Sequence, residues 1–185
     1  MTNAPTPGQT IGPFFGYALP YEGGGSLVPR SHPDAVQLHG LVLDGSGEPV
    51  PDALVEVWQT AADGSIPRAP GSLHRDGWTF TGWGRAATDA TGRYSFTTVP
   101  PGRTGPQAPF FAIIVFARGL LDRLFTRAYL PNDERIAADS LLSSLPPERR
   151  ASLIARPEGD GLRFDIVLQG ENETVFLQYR ETSAR

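Results

Sequence analysis

Side-chain chemistry at neutral pH calls on imidazoles, thiols, activated hydroxyls, paired carboxylates or well-placed cations, and this chain is sparing with most of them. It has three histidines (His32, His39 and His74), no cysteine, and arginine as its sole basic residue besides histidine. Thiolate metal sites, cysteine nucleophiles, disulfides and Schiff-base lysines are therefore excluded together. His39 falls within an apolar stretch, on the face opposite Val36, Leu38 and Val42, while His32 precedes a proline and His74 sits in the loop "GSLHRDG". No two histidines stand at i and i+2, the spacing that aims two imidazoles from one strand face, so they do not form a converging ligand set. No G-x-S-x-G elbow supports a serine triad, and "EGGGS" lacks the lysine and the helix of a phosphate loop. Asp44, Asp52, Asp63, Asp76 and Asp89 stand beside glycines or in turns, where Asx hydrogen bonding explains them. Glu56, between the apolar residues of "VEVW", needs solvent or a partner, and a structural salt bridge is the preferred reading. Arg118 and Arg127 flank "LLDRLFT" among apolar neighbours. Each guanidinium suits a planar carboxylate gripped by two parallel hydrogen bonds, with a structural pair to an Asp or Glu as the favoured alternative.

The elements that must carry these residues are short strands. With 21 glycines and 18 prolines punctuating apolar runs in 185 residues, a helical bundle is excluded. Strands are predicted at Val36–Leu43, Ala53–Trp58, Arg93–Val99, Phe110–Phe116, Asp122–Tyr129, Leu162–Gln169 and Thr174–Tyr179, the last two joined by a hairpin loop at 170–173. The wholly apolar run "FFAIIVF" at Phe110–Phe116 reads as a strand buried on both faces, or on one face with a partner over the other. One helix is expected in "LPPERRASLIAR", capped by Ser144, with Leu153 and Ile154 inward. The fold class is all-β, a β-sandwich with an extended N-terminal arm and one or two short helices. Residues 1–35 form the arm, whose Phe14, Phe15, Tyr17 and Tyr21 should cover a surface, and residues 36–185 form the sandwich. "LVPRSH" at 27–32 leads directly into a strand and is read as native sequence. A formal net charge of -4 argues against nucleic acid as a partner. The start of the chain has no secretory pattern and no apolar run approaches a membrane span, so a cytoplasmic, membrane-free protein is expected.

Five stretches in order, "TPGQTIGPFF", "GLVLDGSGEPVPDALVEVWQ", "DGWTFTGWGRAATDATGRYSFTTVPPG", "APFFAIIVFARGLLDRLFTRAYLPND" and "LRFDIVLQGENETVFL", resemble the intradiol ring-cleavage dioxygenases from about Thr6 to Tyr179. The resemblance implies a prealbumin-like sandwich and a family that holds non-haem Fe(III) with two tyrosines and two histidines. It also implies that this chain lacks those ligands. The positions of the His-x-His pair fall on Phe110 and Ala112, the position after the Pro-Gly turn on Thr104, and no tyrosine occurs between Tyr21 and Tyr94. Tyr94 itself matches a framework position.

The chain thus resembles the iron-free alpha type of a heteromeric member. Such a chain completes a substrate pocket at the interface with a homologous iron-binding beta subunit, within a larger assembly of alpha–beta pairs. The implied reaction opens protocatechuate with O2 to 3-carboxy-cis,cis-muconate. The resemblance implies that Thr10, Gly12, Pro13 and Phe14 line the pocket and that Arg127 meets the substrate carboxylate, with no catalytic side chain and no metal on this chain. The alternative is a prealbumin-like binding or scaffold module without dioxygenase activity.

Overall fold

A computed structural model of the chain describes residues 15–69 and 76–179. Its strands are β1 (Val36–Leu43), β2 (Leu54–Trp58), β3 (Trp83–Ala87), β4 (Arg93–Thr98), β5 (Phe110–Phe116), β6 (Leu124–Tyr129), β7 (Arg156–Glu158), β8 (Gly161–Arg163) and β9 (Ile166–Val167). They form two sheets, one in the order β4-β1-β8-β7 with β9 also on β1, the other in the order β3-β2-β5-β6. Alternation along the strands builds the layer between them. Leu38, Val42, Tyr94 and Phe96 from the first sheet meet Val55, Val57, Phe111, Ile113 and Val115 from the second in one buried cluster. This is the all-β sandwich that the sequence implies. Among the described residues no helix is long and apolar enough to cross a membrane.

Within the first sheet a backbone approach locks β1 against the strand that follows β8. Gly40 lies opposite Tyr94 on β4, and a Cβ on Gly40 would sit 1.9 Å from the Phe164 carbonyl oxygen. The buried Tyr94 hydroxyl donates to that same carbonyl at 2.5 Å, and burial holds the phenol well above its ordinary pKa. The turns obey local rules. Asp44, Asp63, Asp76 and Asp89 accept from backbone N–H groups two residues on. The hydrogen bond from the Thr79 hydroxyl, helped by backbone N–H groups, draws the Asp76 carboxyl down to about 2.

The N-terminal segment seals the side of the sandwich. Gly24 accepts from the Arg85 N–H of edge strand β3, while Gly25 accepts from Thr97 of edge strand β4 and Leu27 donates back to Thr97. Two of the four sheet edges, β3 and β4, thereby gain backbone partners, which removes a template for unwanted strand pairing there. Leu27, within "LVPRSH", is part of the core. The Glu56–Arg85 pair anchors the segment from beneath: Arg85 donates to Glu56 Oε1 at 2.9 and 2.6 Å and to the Leu19 carbonyl at 2.9 Å. The structural salt bridge expected for Glu56 is thus present. Tyr21 stacks on Trp83 with centroids 6.1 Å apart.

Several expectations are corrected. Among the described residues the short helices are α1 (Phe15–Ala18), α2 (Ser140–Ser143) and α3 (Pro147–Ala151), with a 3-10 turn at Glu134–Ala138. The helix expected through residue 156 stops at Ala151, because the chain must extend for Ala155 N–H to reach the Tyr129 carbonyl. Ser144 does not cap it; its hydroxyl donates back to the Leu141 carbonyl at the end of α2. Residues 174–179 form no strand and reach β6 through one backbone bridge, Phe125 to Leu177, the Thr126 hydroxyl donating to the Val175 carbonyl, and the Phe125–Tyr179 ring contact, and the predicted strand 162–169 is divided into β8 and β9. β3 was not expected, since "WGRAA" has neither alternation nor β-branched residues.

Two outcomes follow. Gly40→Ala should cost about 2 kcal/mol or more through overpacking against backbone, and Tyr94→Phe about 1–2 kcal/mol by leaving a buried carbonyl unpaired. Urea midpoints of the two variants measure both, and an unshifted Gly40→Ala midpoint would exclude the close approach. Arg85→Met should strand the Glu56 charge, at a cost of about 3 kcal/mol, and speed proteolytic cleavage before residue 28. Cleavage at the wild-type rate would show that the pair does not hold the segment.

Candidate functional site

The outer face of the second sheet is set by cross-strand register. Trp58 lies opposite Trp83 on one side and Ala112 on the other, and Ala112 lies opposite Arg127. Directly opposed residues point to the same face, so Trp83, Trp58, Ala112 and Arg127 form one row across the sheet. Phe110 and Tyr129 form the start of the next row and Arg85, Glu56, Ile114 and Phe125 the previous one. β5 is accordingly buried on its inner residues and half-buried on its outer ones. The N-terminal segment covers the β3 end of this face. The helical segment covers the β6 end, where Tyr129 packs with Leu142 and Leu153.

Between these covers lies a cavity of about 340 Å3, with Trp58, Phe110, Ala112 and Thr104 in its lining. The three positions at which the resemblance implies lost iron ligands, Phe110, Ala112 and Thr104, are thus gathered around one space. Their chemistry does not fit an iron. A phenyl ring and a methyl group offer no lone pair, and the Thr104 hydroxyl is turned to the Gly64 carbonyl, to which it donates at 2.5 Å. Refilling with apolar groups is a stable end state, because buried imidazoles without a metal would remain unsatisfied. Among the described residues no three His, Asp or Glu side chains are grouped so as to hold a metal ion. His32 Nδ1 accepts from the Asp34 N–H, and buried His39 faces Glu158 at 3.3 Å. His74 lies outside the described residues.

Arg127 and Arg118, alike in the sequence, separate in the structure. Arg118 is exposed and ion-paired with Asp52, the structural pairing expected of it. Arg127 has no carboxylate partner among the described residues. Its Nη1 donates to the Tyr129 hydroxyl at 3.1 Å, and its guanidinium carbon lies 4.1 Å from the Phe110 ring centroid. Its Nε is buried without a hydrogen-bond partner among the described residues.

The sequence reading missed what holds Arg127. The Tyr129 hydroxyl donates in turn to Asp139 Oδ1 at 3.2 Å, and burial pushes the phenol up to about 12, so it stays neutral. Asp139 is itself buried, capping α2 through the Leu141 and Leu142 N–H groups and accepting from the Ala108 N–H just before β5. Tyr129 stands two residues from Arg127, on the same strand face, so the pairing was available from strand periodicity. Thr10, Gly12, Pro13 and Phe14 lie outside the described residues.

Comparison with known proteins places this geometry. A family profile described as "Dioxygenase" matches residues 30–114. The chain is 37% identical to a protocatechuate 3,4-dioxygenase alpha chain of Burkholderia cepacia, over 93% of this chain and 96% of that one. It is 35% identical to the beta chain named for the same enzyme and organism, over 76% of this chain and 67% of that one. Among solved structures, the dioxygenase domain of a carbohydrate-binding fusion protein from Streptomyces sp. SirexAA-E superposes with a TM-score of 0.60 at 26% identity, covering 90% of this chain and 99% of that one. With a sandwich of this topology and a near full-length relative of this identity, the chain belongs to the intradiol ring-cleavage dioxygenase family.

Proposed function

We propose that this chain is the iron-free alpha subunit of a heteromeric protocatechuate 3,4-dioxygenase. Similarity to an alpha chain along nearly the whole length carries the reading. The apolar refilling at Phe110 and Ala112 supports it, since it moves the metal chemistry off this chain. In this reading Fe(III) is held by a homologous beta subunit. There it supplies the activation of the catechol ring for its opening by O2 to 3-carboxy-cis,cis-muconate. Alpha–beta pairs build a higher hetero-oligomer. The full-length match favours this subunit reading over a scaffold module.

The work of this chain is to bind and orient. Thr10, Gly12, Pro13 and Phe14 would wall the substrate pocket from the start of the N-terminal arm, ahead of the segment that packs on this chain's own sandwich. Arg127 would take the substrate carboxylate. It is suited to this because the Tyr129 hydroxyl and the Phe110 ring hold its guanidinium in place. A held guanidinium loses little further entropy when a carboxylate docks. A protein with neither cysteine nor disulfide fits a reducing cytoplasm.

Two measurements test this. Expressed with a tag in its native host, the chain should co-purify with a homologous partner, with iron and with protocatechuate-dependent oxygen uptake. A chain that isolates alone and without such uptake would return the scaffold reading. In the assembled enzyme, Arg127→Met should weaken protocatechuate binding by roughly tenfold or more, the loss of a charge-assisted pair worth about 1.5–3 kcal/mol. An unchanged affinity would remove Arg127 from the substrate site.

A further inference from the structure

The cavity over β2 and β5 has a chemistry of its own. Its floor is the Ala112 methyl, and its walls are the Trp58 indole, the Phe110 ring, Ile66 and Pro67. Among the described residues no charged side chain lines it. Arg127, the register neighbour of Ala112, lies over the Phe110 ring, 4.1 Å from its centroid, bonded to Tyr129, and is not part of the lining. An ionised ligand entering here would lose its hydration with no compensating charge. The polar lining is Gln59, Thr60, Thr81, Thr104 and Gln107, of which Gln59 and Thr60 already donate to backbone carbonyls. Half-buried Gln107 lines the cavity. The Thr104 hydroxyl, its proton committed to Gly64, still has an oxygen able to accept.

The walls are also fixed before any ligand arrives. The loop after β2 is stitched to the loop before β5: the Thr60 hydroxyl donates to the Gly102 carbonyl at 2.8 Å, and Gly102 N–H donates to the Ala61 carbonyl at 2.9 Å. The two loops touch so closely that a Cβ on Gly102 would stand 2.2 Å from the Gly64 nitrogen. On the other side, a Cβ on Gly82 would meet the Gln59 carbonyl at 2.5 Å and Pro67 at 2.8 Å. With the backbone already in contact around it, the space is pre-formed, which lowers the ordering cost of binding. Its volume of about 340 Å3 exceeds the roughly 150 Å3 that suffices for benzene in an apolar cavity, and it leaves room for two fused rings.

We propose that this cavity, where the resemblance places lost metal ligands, is a binding site for a neutral, planar aromatic molecule of one or two rings, stacked against Trp58 and Phe110 and bonded at one polar edge by Gln107. The site belongs to this chain's own residues and holds or fails independently of the heteromer reading.

The test is calorimetric titration of 2-naphthol into the full chain, in the form in which it is isolated with any partner. Saturable binding with a Kd of roughly 0.1–1 mM is expected for a ligand of this size. The charged analogue 2-naphthoate should bind roughly tenfold or more weakly, or not at all. Ala112→Phe fills the floor and should abolish binding. Ile66 is 62% exposed at the mouth, so Ile66→Glu should fold normally and weaken 2-naphthol binding by roughly tenfold. If melting shows that Ala112→Phe does not fold, Ile66→Glu decides. Absence of saturable heat up to the solubility limit, binding that survives the folded variants, or equal affinity for 2-naphthoate would each overturn the proposal.

Discussion

The register of β5 is the constraint on which the rest of the molecule depends. Held between β2 and β6, this strand turns Phe111, Ile113 and Val115 into the core and Phe110, Ala112 and Ile114 outward. A slip by one residue would exchange the two sets. It would bury Phe110, Ala112 and Ile114 in place of the inner residues, and it would break the row that joins Trp58, Ala112 and Arg127. The strand is almost wholly apolar, so its own sequence does not say which face belongs inside. The neighbours decide: β2 brings the Glu56 charge to the outer face and β6 brings Arg127 to the same side, and neither can enter the core without a large desolvation cost. Charged residues on flanking strands thus fix the orientation of an apolar one.

The same logic explains what could be read from the sequence. β1 and β5 have the bounds their apolar runs predict, and Asp44, Asp63, Asp76 and Asp89 make the Asx bonds read for them while Asp52 pairs with Arg118 instead, because these features depend mostly on a few adjacent residues. The family resemblance rests on turn chemistry and strand order, both of which survive when individual site residues change. What escaped the reading is tertiary in origin. β3 is a strand because Glu56 and Trp58 on β2 give Arg85 and Trp83 their partners, not because "WGRAA" favours extension. Residues 174–179 have strand propensity, but Thr174 is spent on hydrogen bonds to Val167, and the chain continues past β6 with one bridge. Asp139 looked like one acid among many, yet it joins α2, β6 and the entry to β5 through four hydrogen bonds.

Arg127, the proposed anchor for a carboxylate, is held in place beside the positions where the resemblance implies lost metal ligands. The ligand positions on β5 are one strand away from Arg127, and their replacement by Phe110 and Ala112 removes costly unsatisfied groups. The Phe110 ring at the same time gives the guanidinium a face to rest on. The residue at an implied ligand position thereby supports the geometry of its neighbour. The Glu56–Arg85 pair plays a comparable double part, since it satisfies a buried charge and tethers the segment that shields the β3 and β4 edges.

The aromatic ladder under that segment has an optical consequence. Of the three tryptophans, Trp83 is stacked with Tyr21 and lies 5.9 Å from Trp58, whereas Trp78 is 94% exposed. Rings this close share excitation, and light absorbed by Tyr21 passes to Trp83 before it is emitted. A soluble quencher meets exposed Trp78 and half-exposed Trp58 first and reaches buried Trp83 last. The chain therefore carries, in its native fluorescence, a signal for whether its N-terminal segment is seated.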